Sequence, residues 1–182
     1  MRYYFIVFLF TLFLPITAVA NSYSIDYDNS HISFTGTHAD EEFTGKFEDW
    51  AATINFNEDD LENSTVTVTF QTESAKTGNA MYDGTLPHGD WFDIKNHPEA
   101  TFKSQSFSKT DIGFQVTGIL SIKDIAKEIS FDFQLDGDNP TVMTASFPIH
   151  RLDFKIGAES DAAAAWVSEI IMIDIEVTAS KM

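Results

Sequence analysis

The stretch Ile129-Ser130-Phe131-Asp132-Phe133-Gln134-Leu135-Asp136 alternates apolar and polar side chains over its whole length. A strand points successive side chains to opposite faces, so this pattern puts Ile129, Phe131, Phe133 and Leu135 on a core and Ser130, Asp132, Gln134 and Asp136 in water. The same period of two returns in Ile32, Phe34 and Gly36 against Ser33, Thr35 and Thr37, and in Val66, Val68 and Phe70 against Thr65, Thr67 and Thr69. One dry face and one wet face per strand indicates an antiparallel sheet, because parallel strands are apolar on both faces.

Working outward, strands are expected over residues 43–56, 100–107, 113–122, 141–149 and 166–179, with a short one at 23–25. In 43–56 the apolar set runs Phe43, Gly45, Phe47 and then changes parity to Trp50, Ala52, Ile54, Phe56. That change predicts a bulge or sharp bend near Glu48-Asp49. Turn chemistry separates strands at Asp28-Asn29-Ser30, Glu58-Asp59-Asp60, Asp111-Ile112-Gly113 and Asp136-Gly137-Asp138-Asn139-Pro140. Two segments break the alternation. Residues 75–98 carry Gly78, Gly84, Pro87, Gly89 and Pro98 and are expected to hold a helical turn or two around 79–86, with Asp90 capping another short helix through Ile94. Residues 157–165 contain four consecutive alanines that suit one helical turn. Eight or so strands with one helical interruption leave a closed barrel or a two-sheet sandwich, and long bent strands favour the barrel.

Residues 1–20 read differently. Arg2 is their one charge, Tyr3 to Ile16 is almost wholly apolar, and Ala18-Val19-Ala20 supplies the small residues of a signal-peptidase site. Cleavage is expected after Ala20, leaving 21–182 as one domain. The apolar run of about 14 residues is shorter than the roughly 20 of a spanning helix, so an integral membrane protein is not expected. The chain carries 11 basic and 28 acidic residues, a formal charge of −17, with the basic groups scattered singly. No stripe of cations exists to neutralise phosphates, which argues against nucleic acid and anionic lipid surfaces as partners. The charge itself serves solubility. There is no cysteine, which excludes disulfides, zinc-thiolate sites, cysteine nucleophiles and lipidation of a lipoprotein cysteine. An exported chain that needs no oxidation fits a bacterial periplasm.

Candidate chemistry is sparse. His31, His38, His88, His97 and His150 do not pair at metal-ligand spacing, and no metal or cofactor is expected. His88-Gly89-Asp90-Trp91-Phe92-Asp93 is the tightest polar cluster, and His88, Asp90 and Asp93 are its candidates for acid-base work, although a capped helix start explains the same residues. No Gly-x-Ser-x-Gly elbow or phosphate loop is present. Asn63-Ser64-Thr65 matches a glycosylation triplet, which at the head of a strand reads as chance. What stands out is 17 phenylalanines. A small barrel is either filled by such side chains or just able to hold one ligand, and Phe34, Phe47, Trp50, Phe102, Phe131 and Phe133 fit both descriptions.

Several motifs then narrow the field. Gly89-Asp90-Trp91-Phe92-Asp93-Ile94-Lys95-Asn96-His97-Pro98-Glu99-Ala100-Thr101-Phe102-Lys103-Ser104 and the strand-turn-strand from Val116 to Ile129 resemble the YceI-like family, also called polyisoprenoid-binding or lipid-binding proteins. Asp28-Asn29-Ser30-His31-Ile32-Ser33-Phe34, Gly45-Lys46-Phe47 and Arg151-Leu152-Asp153-Phe154-Lys155-Ile156-Gly157 match in the same order. The departures are Asp124 for a turn glycine, His97 for the tyrosine before Pro98, and Lys155 for a common glycine. The resemblance implies an all-β, eight-stranded antiparallel lipocalin-like barrel with a short helical excursion. It also implies a long apolar cavity for an isoprenoid or other long-chain lipid, such as a quinone or polyprenyl carrier, and no reaction. On that reading Phe34, Phe47, Trp50, Phe92, Phe102, Phe131 and Phe133 hold the ligand and His88, Asp90 and His97 stand at the mouth. An exported structural or stress-response barrel without ligand and an enzyme acting near His88, Asp90 and Asp93 stay open, as does a homodimer.

Overall fold

A computed structural model describes residues 22–182; the leader and the cleavage site after Ala20 lie outside the described residues. Ten strands form one antiparallel sheet: β1 (Tyr23–His38), β2 (Glu41–Phe47), β3 (Trp50–Asn55), β4 (Thr65–Gln71), β5 (Ala75–Lys76), β6 (Glu99–Thr110), β7 (Gly113–Ile122), β8 (Ile125–Asp136), β9 (Thr141–His150) and β10 (Ile170–Lys181). Their order across the sheet is β3-β4-β6-β7-β8-β9-β10-β1-β2-β5. β-Branched and aromatic residues supply most of the inward face, as a pleated, half-buried surface favours. With β2 and β3 counted as two arms of one bent strand, and the two-residue β5 apart, the expected eight long strands are present.

The parity change at Glu48-Asp49 is the corner between β2 and β3, whose arms pair with different neighbours: β2 with β1 and β5, β3 with β4. Curling brings β3, at one end of the sheet, back beside the start of β1. At the base an isolated bridge joins Ser22 to Asn55, and the Ser22 hydroxyl donates to Asn55 Oδ1 at 3.0 Å. The sheet is thus a curled half-barrel in which most neighbours in space are neighbours in sequence.

Four local expectations need correction. Asp28-Asn29-Ser30 does not reverse the chain; it is a bulge inside β1, where the register with β10 slips between Asp26 and His31. The Asp26 carboxylate accepts the Asn29 side-chain amide at 2.8 Å, and the Ser30 hydroxyl donates to the Asp26 carbonyl at 2.6 Å, so the polar residues fold on themselves without ending the strand. No helix starts at Asp90, because its carboxylate is taken by the backbone N–H groups of Glu159 and Ser160, at 2.8 and 2.9 Å. The alanines at 162–165 make turns and not a helix: Ala164 has φ +48°, and Asp161 draws the N–H groups of Ala165 and Val167 to its side chain. The last strand begins at Ile170, four residues later than expected. The helical turn at 79–86 is α1 (Ala80–Thr85), capped by Asn79, whose side-chain oxygen accepts the N–H of Met81 at 2.9 Å.

Candidate functional site

The inward faces of the strands enclose a cavity of about 230 Å³. Phe34 reaches it from β1, Phe47 from β2, Trp50 from β3, Phe102 from β6 and Phe131 and Phe133 from β8, while Phe92 enters from the excursion between β5 and β6. All seven expected side chains therefore line the cavity, the six on strands because alternation fixes their facing once the sheet curls. Their neighbours on its wall are almost all apolar, with Thr141 and Arg151 the main polar exceptions. The rings pack against one another: Phe131 stacks on Phe147 with centroids 4.0 Å apart, Phe34 lies 5.5 Å from Phe47, and Phe47 5.2 Å from Phe70.

Two glycines make room for rings of this size. Gly45 is the cross-strand partner of Phe34, and a Cβ there would collide with the Phe34 ring. At Gly118 a Cβ would meet the Phe102 ring at 2.6 Å. The backbone serves here as a flat seat for an aromatic face.

Side chains cover both ends of the cavity. At the base Phe56 sits edge-on among Phe107, Phe114 and Phe133, with centroids 5.4, 5.3 and 5.8 Å away. At the opposite end Leu86, Trp91 and Phe92 of the excursion and Val167 of the 150–170 loop cover it. Those two covering segments are bound together. Lys123, in the β7–β8 turn, donates to the carbonyls of Gly89, Asp90 and Lys155 at 3.0, 3.3 and 3.0 Å. The N–H of Gly157 donates to the Asp90 carbonyl at 2.7 Å, and the Ser160 hydroxyl donates to the Asp90 carboxylate. Burial works against ionisation of Asp90, but the bonds from Ser160 and Glu159 outweigh it, with Lys123 adding attraction, and its pKa lies below the usual carboxylate value.

His88, Asp90 and His97 are not on the cavity wall. Asp90 is engaged by the 157–160 segment, and His88 is exposed. His97 Nδ1 lies 3.2 Å from Asp124, without a well-aligned hydrogen bond, and its Nε2 is 3.8 Å from Asp93. Asp93 in turn accepts the side-chain amide of Asn96 at 2.9 Å. These polar groups of the excursion hold the cover in place and do not converge on the cavity. Among the described residues no three His, Asp or Glu side chains gather as metal ligands, and no helix is long and apolar enough to cross a membrane.

Sequence reasoning passed over Arg151. Only 1% exposed, it donates through Nη2 to Asp161 Oδ2 at 2.7 Å and to the Val167 carbonyl at 2.8 Å, through Nη1 to the Ile156 carbonyl at 2.7 Å, and through Nε to the Ser168 carbonyl at 3.0 Å. Trp91 lies over its guanidinium at 5.8 Å. A lone arginine after a strand carries no local sign of burial, since its carboxylate partner stands ten residues further on.

The YceI-like domain model matches residues 23–179. The chain belongs to the YceI-like family. It is 29% identical over 173 residues to Protein YceI of Salmonella newport strain SL254, covering 90% of this chain and 91% of that one. Among solved structures, Burkholderia cenocepacia BcnA superposes with a TM-score of 0.81 at 23% identity, over 86% of this chain and all of BcnA. A Saccharophagus degradans domain described as polyisoprenoid binding and implicated in plant cell wall breakdown gives 0.66 at 15% identity, over 91% of this chain and all of that one. At these identities the likeness concerns the fold. In this YceI-like chain Lys123 and Asp124 have φ +52° and +59°, the two left-handed residues of a tight hairpin turn, and Lys155 has φ +53°. Both non-glycine departures therefore occupy left-handed positions. Each adopts that conformation without glycine.

Proposed function

We propose that this protein is an exported carrier that holds a long apolar chain, an isoprenoid such as a quinone tail or polyprenyl lipid, inside the curled sheet. The observation that carries the reading is the cavity of about 230 Å³ whose wall is almost entirely aromatic and aliphatic. Membership of the YceI-like family and the fold shared with a protein described as polyisoprenoid binding support it. Phe34, Phe47, Trp50, Phe92, Phe102, Phe131 and Phe133 make the contacts. Each methylene they bury contributes roughly 0.8 kcal/mol, so a few isoprene units offset the cost of immobilising a flexible chain. The cavity is smaller than the roughly 300 to 1,000 Å³ of pockets that enclose drug-sized ligands, so a long chain settles only as rings such as Phe131 and Phe147 turn aside. Binding of this kind uses no acid-base group, and the engaged state of Asp90 and Asp93 accords with that.

The leader ending at Ala18-Val19-Ala20 supports export to the periplasm, with the mature chain starting at Asn21. Organic extraction of the protein purified from the periplasmic fraction, followed by mass spectrometry, tests both parts at once. The expected result is a mature chain lacking residues 1–20 and a stoichiometric long-chain lipid, lost in Phe131→Asp. If neither native extraction nor added polyprenyl lipid yields a bound chain, the carrier reading is wrong.

A further inference from the structure

We infer that a chain enters the cavity sideways, through the seam between β1 and β3, and that the polar groove outside this seam holds the ligand's head, which is uncharged and not phosphorylated. The inference rests on the apolar-chain reading above.

Both ends of the cavity are covered, and among the described residues the ladder has two gaps: one between β8 and β9, which pair only over Phe133–Asp136 and Val142–Ala145 and are bridged beyond that by the stacked rings of Phe131 and Phe147, and one at the β1–β3 seam. The base is filled by Phe56 and the three rings around it. The opposite end is held by the hydrogen bonds of Lys123, Asp90 and Arg151, which tie the covering segments to each other and to the β7–β8 turn. The seam is different. Between the Ser22–Asn55 bridge and the Ser33–Lys46 pair that starts the β1–β2 ladder, no backbone hydrogen bond joins β1 to β3 among the described residues. The bulge at Asp26–His31 lies in this interval, where it shifts the register of β1 with β10 and carries Tyr27 and Asp28 outward.

Side chains alone close the gap. Tyr27, 50% exposed, lies against Trp50 with ring centroids 5.0 Å apart. Trp50 and Phe47 belong at once to the wall of the inner cavity and to that of a groove on the outside, of about 940 Å³. Swinging the exposed Tyr27 aside, with a shift of the buried Trp50 ring beneath it, breaks no backbone ladder and leaves the bound cover in place. A chain passing there would leave its polar end in the groove.

The groove's charges select that end. Asp28, Glu48, Asp49 and Glu176 line it against two basic side chains, His31 and Lys46, of which Lys46 already lies 3.3 Å from Glu48. A phosphate would enter a field of its own sign, in a chain whose formal charge is −17. A hydroxyl head meets no such penalty and can donate to the carboxylates that line the groove, while the Asn29 amide and the Ser30 and Thr178 hydroxyls are already engaged within the bulge.

The test uses the mature protein with two probes of equal chain length, geranylgeraniol and geranylgeranyl monophosphate. At low ionic strength the alcohol is expected to bind at least tenfold more tightly, with the ratio shrinking as salt is added. In Asp28→Lys/Glu176→Lys, two exposed positions that leave the core untouched, the ratio should fall to near one or invert. Tyr27→Ala should speed dissociation of the alcohol severalfold, whereas Trp166→Ala, at an exposed position near the covered end, should not. An unchanged alcohol-to-phosphate ratio in the charge-reversed protein overturns the head site. Unchanged dissociation in Tyr27→Ala overturns the portal. Failure of both probes to bind the unmodified protein removes the apolar-chain reading itself, and the portal and head site with it.

Discussion

Arg151 donates to Asp161 at 2.7 Å in a place where neither side chain is more than 5% exposed. The pair is the hub of the 150–170 loop: the guanidinium donates to four carbonyls, and the carboxylate accepts the N–H groups of Ala165, Trp166 and Val167. Removing one member of a buried pair leaves the other charge without compensation, which costs about 3 to 5 kcal/mol. Asp161→Asn is expected to lose that much in urea unfolding. Replacing both, as Arg151→Met/Asp161→Leu, should not restore stability, because the carbonyls and N–H groups around the pair lose their partners as well. Full recovery in the double variant would show that the loop is held by packing alone.

Acid should act through the same loop. Burial disfavours the charged form of Asp161, yet the N–H groups of Val167, Trp166 and Ala165 outweigh it, with Arg151 beside them, so its pKa is lowered; that of Asp90 is lowered too. A carboxylate with a folded pKa below its unfolded value of about 3.9 stabilises the fold above that value and loses the contribution as pH falls through the folded pKa. Stability should thus hold from neutral pH down to about 4 and drop below it. In Asp90→Asn the drop should be shallower. Denaturant midpoints measured between pH 2.5 and 7 check this, and equal slopes in both proteins would count against it.

Much of this architecture is legible from residue order alone. Ile129 to Leu135 and Ile32 to Gly36 reveal their facing through alternation, and the corner at Glu48-Asp49 through a change of parity, since both follow from the local geometry of a strand. The bulge at Asp28-Asn29-Ser30 is not legible, because the same residues favour turns and bulges alike and only the ladder with β10 decides. Asp90 misleads for a related reason: a helix cap and a tertiary anchor both need one carboxylate among N–H groups, and the donors here come from Glu159 and Ser160. The seven cavity side chains could be placed on one face but not told from filler, because emptiness is a property of the whole enclosure.

Glycine positions separate space from flexibility. Gly45→Ala forces a Cβ into the Phe34 ring and should cost about 1 to 3 kcal/mol as an overpacking change. At Gly89 nothing lies within 4 Å of a new Cβ, so Gly89→Ala should stay within about 0.5 kcal/mol of the parent. Gly84, inside α1 and equally uncrowded, should gain about 0.5 to 1 kcal/mol as alanine. Thermal melts of the three variants give the order directly, and a Gly45→Ala protein as stable as Gly89→Ala would mean that Phe34 can move.

The length of the bound chain should be set at the base. Phe56 is 6% exposed and is the ring on which Phe107, Phe114 and Phe133 converge, so it ends the cavity as a floor. Phe56→Ala removes that floor at a cost of about 3 to 5 kcal/mol, the usual range for truncating a buried phenylalanine. The vacated volume is lined by aromatic carbon and continues the apolar wall, so a longer chain gains burial there at roughly 0.8 kcal/mol per methylene. Lipid extracted from Phe56→Ala, or captured from a mixture of prenyl alcohols of graded length, is expected to shift toward longer chains relative to the unmodified protein. A variant that folds, as judged by its circular dichroism, and keeps the original length distribution would place the chain's end elsewhere than at Phe56.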